Sequence, residues 1–82
     1  ERRIARTLLN LAAQYGRPCP EGVRISIRFT HQDVAGIINT SRITTNKVMK
    51  RMEEEGILLK RDGRYILRAL PALERLARGE GQ

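Results

Sequence analysis

The amino-acid sequence predicts a small α+β domain with three or four helices and a small antiparallel sheet. Three observations carry that expectation. Val34, Ala35 and Ile38 form one apolar stripe at helical spacing, and Thr45, Val48, Met49 and Met52 form another, with only Asn39-Thr40-Ser41 between the two helices. Ile57-Leu58-Leu59 and Tyr65-Ile66-Leu67 flank Asp62-Gly63, a strong local signal for a β-hairpin. An amphipathic helix precedes these elements and a short one follows. A pair of close helices with a basic hairpin directly after it makes a winged helix-turn-helix.

Along the chain, Ile4, Leu8, Leu11, Ala12 and Tyr15 recur at helical spacing, with Arg2, Arg3, Arg6 and Asn10 on the other sides. Gly16 closes this first helix. Arg17-Pro18-Cys19-Pro20-Glu21-Gly22 is expected to be a loop, because its prolines and glycines break both helix and strand registers. Val23, Ile25 and Ile27 alternate with Arg24, Ser26 and Arg28, as in a half-buried strand with a basic outer side. Phe29 is expected to pack where that strand meets the next helix.

Thr30-His31-Gln32-Asp33 has the residues to cap the first helix of the pair. The second helix is expected over residues 41–54, ended by Gly56 after Glu53-Glu54-Glu55, which face solvent or pair with Lys50 and Arg51. The hairpin, residues 57–68, carries Lys60, Arg61, Arg64 and Arg68. Pro71 suits the first turn of a last helix with Leu73 and Leu76 inward, folded back on the core or offered to a partner. Arg78-Gly79-Glu80-Gly81-Gln82 is expected to fray.

A chain of 82 residues holds one domain, here residues 1–82 with an ordered core over about 3–78. Sixteen Lys and Arg against nine Asp and Glu give a net charge of +7, which suits nucleic acid or another anionic surface, and in part solubility alone. Cys19 is the only cysteine, so no intrachain disulfide or clustered-cysteine metal site is expected. No signal peptide or membrane span is indicated, and a cytoplasmic location is expected. No catalytic set or glycine-rich phosphate loop is evident, so an enzyme is not expected.

The candidate functional residues lie on the outer side of the second helix of the pair and on the hairpin. Arg42, Asn46, Lys47 and Lys50 point away from the inward stripe, as a helix in a DNA major groove requires. Arg42 can donate two hydrogen bonds to guanine, Asn46 can pair with adenine, and Lys50 suits a phosphate. Lys60, Arg61 and Arg64 suit phosphates beside the groove. The bland alternative for each is a solvated polar face. Arg24 and Arg28 are weaker candidates on a neighbouring strand.

Thr30-His31-Gln32-Asp33-Val34-Ala35-Gly36-Ile37-Ile38, then Thr40-Ser41-Arg42, Lys47 and the Glu55-Gly56-Ile57 junction resemble the carboxy-terminal winged-helix DNA-binding domain of the Crp/Fnr family of bacterial transcription regulators. The resemblance runs from about Ile4 to Leu76 and is strongest from Phe29 through Leu67. It implies that Ser41 starts the recognition helix and touches a phosphate, that Arg42 reads guanine, and that Lys47 is a second basic reader. It also implies backbone contacts from His31 and Gln32. Beyond the chain it implies an amino-terminal sensor domain for an unknown effector, a dimerisation helix ahead of Glu1, and a homodimer acting with RNA polymerase on near-palindromic sites. This domain itself is expected to hold no cofactor and to be monomeric or weakly dimeric.

Three positions depart from the family pattern. Asn39 stands where glycine is frequent, and asparagine tolerates the left-handed conformation. Thr45 replaces an inward apolar residue, with a hydroxyl that can return to the helix backbone. Ile43 replaces a glutamate that accepts from cytosine; it has no acceptor but can meet a thymine methyl group. The competing reading is a winged helix used for protein contact or for non-specific nucleic-acid binding, favoured by the exposed Ile43 and the three glutamates.

Overall fold

The computed structural model describes residues 1–79. The chain runs α1 (Arg2–Tyr15), β1 (Gly16–Cys19), β2 (Gly22–Ile25), α2 (His31–Ile38), α3 (Arg42–Glu54), β3 (Leu58–Arg61), β4 (Arg64–Leu67) and α4 (Leu70–Ala77). The four strands form one antiparallel sheet in the order β1-β2-β4-β3. This is the expected winged helix-turn-helix, with four helices.

The helix pair forms where its local chemistry directs. Thr30 and Asp33 make a reciprocal capping box, the Asp33 N–H donating to Thr30 Oγ1 at 3.1 Å and the Thr30 N–H to Asp33 Oδ2 at 2.8 Å. Asn39 ends α2 in the left-handed region, at φ 55° and ψ 50°, as its side chain permits. Ser41 then caps α3 by accepting from the Thr44 N–H at 3.0 Å. Thr45 is fully buried, and its hydroxyl donates back to the Ser41 carbonyl at 3.0 Å. Gly56, at φ 79°, lets the Ile57 N–H reach back to the Met52 carbonyl at 2.9 Å and close α3.

The wing is a tight hairpin. Arg61 pairs with Arg64 across Asp62 and Gly63, whose φ values of 54° and 76° are those of the two-residue turn that matches strand twist.

The segment from 16 to 28 differs from expectation. Residues 17–22 are a second hairpin rather than a loop, with Arg17 opposite Arg24 and Pro18 opposite Val23. Pro18 is tolerated because β1 is an edge strand, where one missing N–H costs no ladder partner. Gly22, at φ 151°, passes so close to the Leu67 carbonyl that a Cβ would collide with it. The strand expected through Arg28 ends at Ile25, and the Ser26 N–H turns to the Tyr15 carbonyl at 2.9 Å. Tyr15 and Ile27, both expected inward, are exposed, Tyr15 at the last residue of α1 and Ile27 beyond the end of β2.

The core lies where α1, α3, α4 and the sheet meet: Ile4, Leu8, Ile25, Met49, Met52, Leu58, Tyr65, Leu67 and Leu73 are all at most 2% exposed. Two arginines of α1 tie the helices together. Arg3 donates to the Ile38 carbonyl at 2.6 Å, and Arg6 to the Ala77 carbonyl at 3.1 Å. Each satisfies a carbonyl that the end of a helix leaves without a partner. Helix α4 folds back on α1, burying Leu73 and Ala77. The expected fraying at 78–82 does not hold for Arg78 and Gly79, whose N–H groups bond the Glu74 and Leu76 carbonyls; residues 80–82 lie outside the described residues.

Met49 and Ile37 test this division of inside from outside. Met49→Ala should cost about 2–5 kcal/mol in denaturant unfolding, because it leaves a cavity at the joint of α3 with the core. Ile37, 61% exposed, should lose less than about 0.5 kcal/mol on the same change. Similar losses at both positions would contradict the packing described.

Candidate nucleic-acid interface

Helix α3 buries Thr45, Val48, Met49 and Met52 and leaves its other side bare. Arg42, Ile43, Asn46, Lys47 and Lys50 are all exposed on that side, so all five expected outer residues share one accessible face. Ile43 is 69% exposed, an apolar side chain among cations. Among the described residues no hydrogen bond or ion pair engages the side chains of Arg42, Lys47 or Lys50. Ser41 is committed to capping: its Oγ accepts from the Thr44 N–H and donates to Thr44 Oγ1 at 2.8 Å.

Helix α2 supplies the next two candidates. Gln32 is exposed in its first turn. His31 is held sideways: its Nδ1 lies 2.9 Å from Asn46 Oδ1, its Nε2 lies 3.5 Å from Glu53 Oε2, and its ring stacks on Tyr65 with centroids 6.2 Å apart. Two candidates expected separately, His31 and Asn46, are thus brought together. Glu53 was expected in solvent or paired with Lys50 or Arg51. It faces His31 instead, and Arg51 pairs with Glu1 at 3.3 Å. The sequence reading did not find this cluster or the part Tyr65 plays in it. A histidine at the start of one helix, with an asparagine and a glutamate two turns apart on the next, was its only trace.

The wing candidates are unequal. Lys60 extends over the Tyr65 ring, 5.4 Å from its centroid. Arg61 is bound to Glu21 at the tip of the other hairpin at 2.6 Å, and this contact lowers the Glu21 carboxyl pKa and raises that of the guanidinium. Arg64 donates through Nε to the Ser26 carbonyl at 2.8 Å, which ties its guanidinium to the loop after β2. Arg28 lies over Gly63, so the arginine from the preceding loop joins the wing tip. Arg24 is exposed on β2.

Among the described residues no group of three or more His, Cys, Asp or Glu is arranged to hold a metal, and no helix is long and apolar enough to cross a membrane.

A capped helix pair with a bare basic face and an adjoining basic hairpin defines a winged helix-turn-helix of the DNA-binding class. The family described as the Crp-like helix-turn-helix domain matches residues 2–76, and the chain belongs to that family. Domains of this family are DNA-binding regulatory modules, not enzymes. The cAMP-activated global transcriptional regulator CRP of Salmonella typhimurium is 39% identical over 57 residues, 68% of this chain and 26% of that protein. The global nitrogen regulator of Synechocystis is 30% identical over 56 residues, 68% of this chain and 25% of that protein. The chain therefore spans about a quarter of the length of these relatives. A CRP-family transcriptional regulator from Thermus thermophilus superposes with a TM-score of 0.79 at 29% identity, over 100% of this chain and 43% of that one.

Tyr65 offers a test of the geometry around His31. Burial, with the Glu53 carboxylate as the smaller cause, pushes its phenol up to about 12. The folded domain holds that proton more tightly than the unfolded chain, where tyrosine titrates near about pH 10. This part of the stability is whole below about pH 10 and is lost as pH rises through the folded value. Unfolding measured across that alkaline range should show the decline, and Tyr65→Phe should show a shallower one; equal slopes would contradict the burial.

Proposed function

We propose that this domain binds double-stranded DNA in a sequence-specific manner, with residues 41–54 in the major groove and the wing, residues 57–68, on the phosphates. The bare outer face of α3 is the observation that carries this reading. Thirteen residues make a helix of about 20 Å, and the major groove, about 12 Å wide, admits one. Arg42 donates to guanine O6 and N7, Ile43 meets a thymine methyl group, and Asn46 and Lys47 face further bases. Gln32, Lys50, Lys60, Arg61 and Arg64 hold phosphates on either side, and His31 and Ser41 join them where a phosphate displaces Glu53 from Nε2 or Thr44 from the serine hydroxyl.

In this reading the domain is the DNA-reading part, at the carboxy-terminal side, of a longer cytoplasmic transcription regulator. A sensor domain on the amino-terminal side binds the effector, and two copies grip a near-palindromic site and act on RNA polymerase. The greater length of the relatives supports this arrangement. The isolated domain grips one half-site as a monomer or weak dimer, so its own affinity understates that of the pair.

A second reading, contact with an acidic protein, is favoured by one observation: the 69% exposure of Ile43 on an otherwise polar face. Retention on duplex DNA compared with an acidic protein column, each across a salt gradient, separates the two.

On a half-site selected from random duplexes, Arg42→Ala should lose about 1–3 kcal/mol of preference for the cognate sequence and little affinity for random DNA. Lys60→Ala should instead weaken both alike and reduce the salt slope by about 1. Equal losses on cognate and random duplexes with Arg42→Ala would remove its base-reading role. Because Glu21 competes with phosphate for Arg61, Glu21→Gln should tighten binding to any duplex by about two- to fivefold, most at low salt. Unchanged or weaker binding would take Arg61 out of the interface.

A further inference from the structure

His31 begins α2 and Asn46 lies mid-way along α3, yet their side chains meet at 2.9 Å, between Nδ1 and Oδ1. The other ring nitrogen faces the Glu53 carboxylate at 3.5 Å. Stacking on Tyr65, with ring planes 29° apart, limits how the imidazole can turn. The charged and titratable groups around it are Glu53 from α3, Tyr65 from β4 and Lys60 of β3 on the Tyr65 ring. Asp33, on the same helix as His31, is turned to the Thr30 N–H.

An asparagine amide has one donor end and one acceptor end, and its partner decides which end turns inward. A doubly protonated imidazole donates from both nitrogens. Glu53 then accepts from Nε2, Asn46 accepts from Nδ1 through Oδ1, and the Asn46 amino group is left facing outward. A neutral imidazole beside a carboxylate keeps its proton on Nε2 and leaves a lone pair on Nδ1. Asn46 must then donate its amino group inward and turn Oδ1 outward.

We infer that His31 is a positioning residue for base reading: its protonation decides which end of the Asn46 amide meets the groove, and so which base is preferred at that one position. The inference rests on the groove-reading role proposed for α3. An outward amino group suits the acceptors of guanine, thymine O4 or adenine N7, whereas an outward oxygen suits the amino groups of cytosine or adenine, so guanine and thymine are set against cytosine. The preferred base therefore follows the protonation state of the His31 ring.

The test is selection of duplexes from a random pool at about pH 5.5 and about pH 8 by the unaltered domain, His31→Phe, His31→Gln and Asn46→Ala. The unaltered domain should prefer guanine or thymine over cytosine at one half-site position at the lower pH and cytosine over these at the higher, by about three- to tenfold. His31→Phe keeps a ring for Tyr65 but has no nitrogen, and His31→Gln has no proton to gain. Each should lose the pH-dependent change, whatever overall affinity goes with the phosphate contact proposed for His31. Asn46→Ala should lose preference at that position at both pH values. The same preference at both pH values in the unaltered domain, or a change that persists in both His31 variants, overturns the inference while leaving groove reading intact. A pH effect equal on all sequences also overturns it, because it marks His31 as a phosphate contact only. If no variant selects any sequence, the groove-reading role fails as well, and the inference with it.

Discussion

The domain depends on α3 being pinned by one side and bare on the other. Thr45 and Met49 are 0% exposed and Met52 is 1% exposed, whereas the cations on the far side cannot be buried without partners. Burial of each large apolar side chain contributes roughly 1.5–3 kcal/mol, so the inner stripe determines how the helix is rotated. The turn before it has to agree. A helix rotates about 100° per residue, so a start displaced by one residue would swing Arg42 and Lys47 away from the outer face. Asn39 in the left-handed conformation and Ser41 on the Thr44 N–H together fix that start.

Elements whose geometry is set by neighbours in the chain were legible in the sequence. The Thr30 and Asp33 capping box, the Asn39 turn, Gly56 and the Asp62-Gly63 turn each act within a few residues, and each stands as its chemistry indicates. The β1–β2 hairpin was not legible. Its prolines and glycines read as a loop, because what makes the segment a strand is the sheet beside it: β2 pairs with β4, which lies beyond both helices of the pair in the chain. The same distinction divides the site. Which residues of α3 face outward follows from periodicity alone, and the exposed face agrees. The meeting of His31 with Asn46 and Glu53 follows from how α2 crosses α3, which no local pattern encodes.

Net charge is a poor guide to which cations serve the interface. Arg3 and Arg6 are spent on carbonyls at the ends of α2 and α4, and Arg51 and Arg61 on Glu1 and Glu21. These arginines hold the fold together although composition counts them toward a nucleic-acid partner. Arg42, Lys47 and Lys50 on α3 carry no such engagement among the described residues. The Arg61–Glu21 pair is exposed, so it costs little to break when a phosphate offers a better anion. It also holds the turn of the first hairpin against the wing in the free domain, which makes the two hairpins one surface.

Tyr65 links that surface to α3 by way of His31. It belongs to wing strand β4, yet its ring meets Phe29 at 5.0 Å, His31 at 6.2 Å and the Lys60 ammonium at 5.4 Å. A ring buried among such neighbours cannot shift without moving them, because packed interiors transmit displacement. The wing and the outer face of α3 are adjacent parts of one packed unit, joined through the contacts of Tyr65 with Lys60 and His31 and of His31 with Asn46.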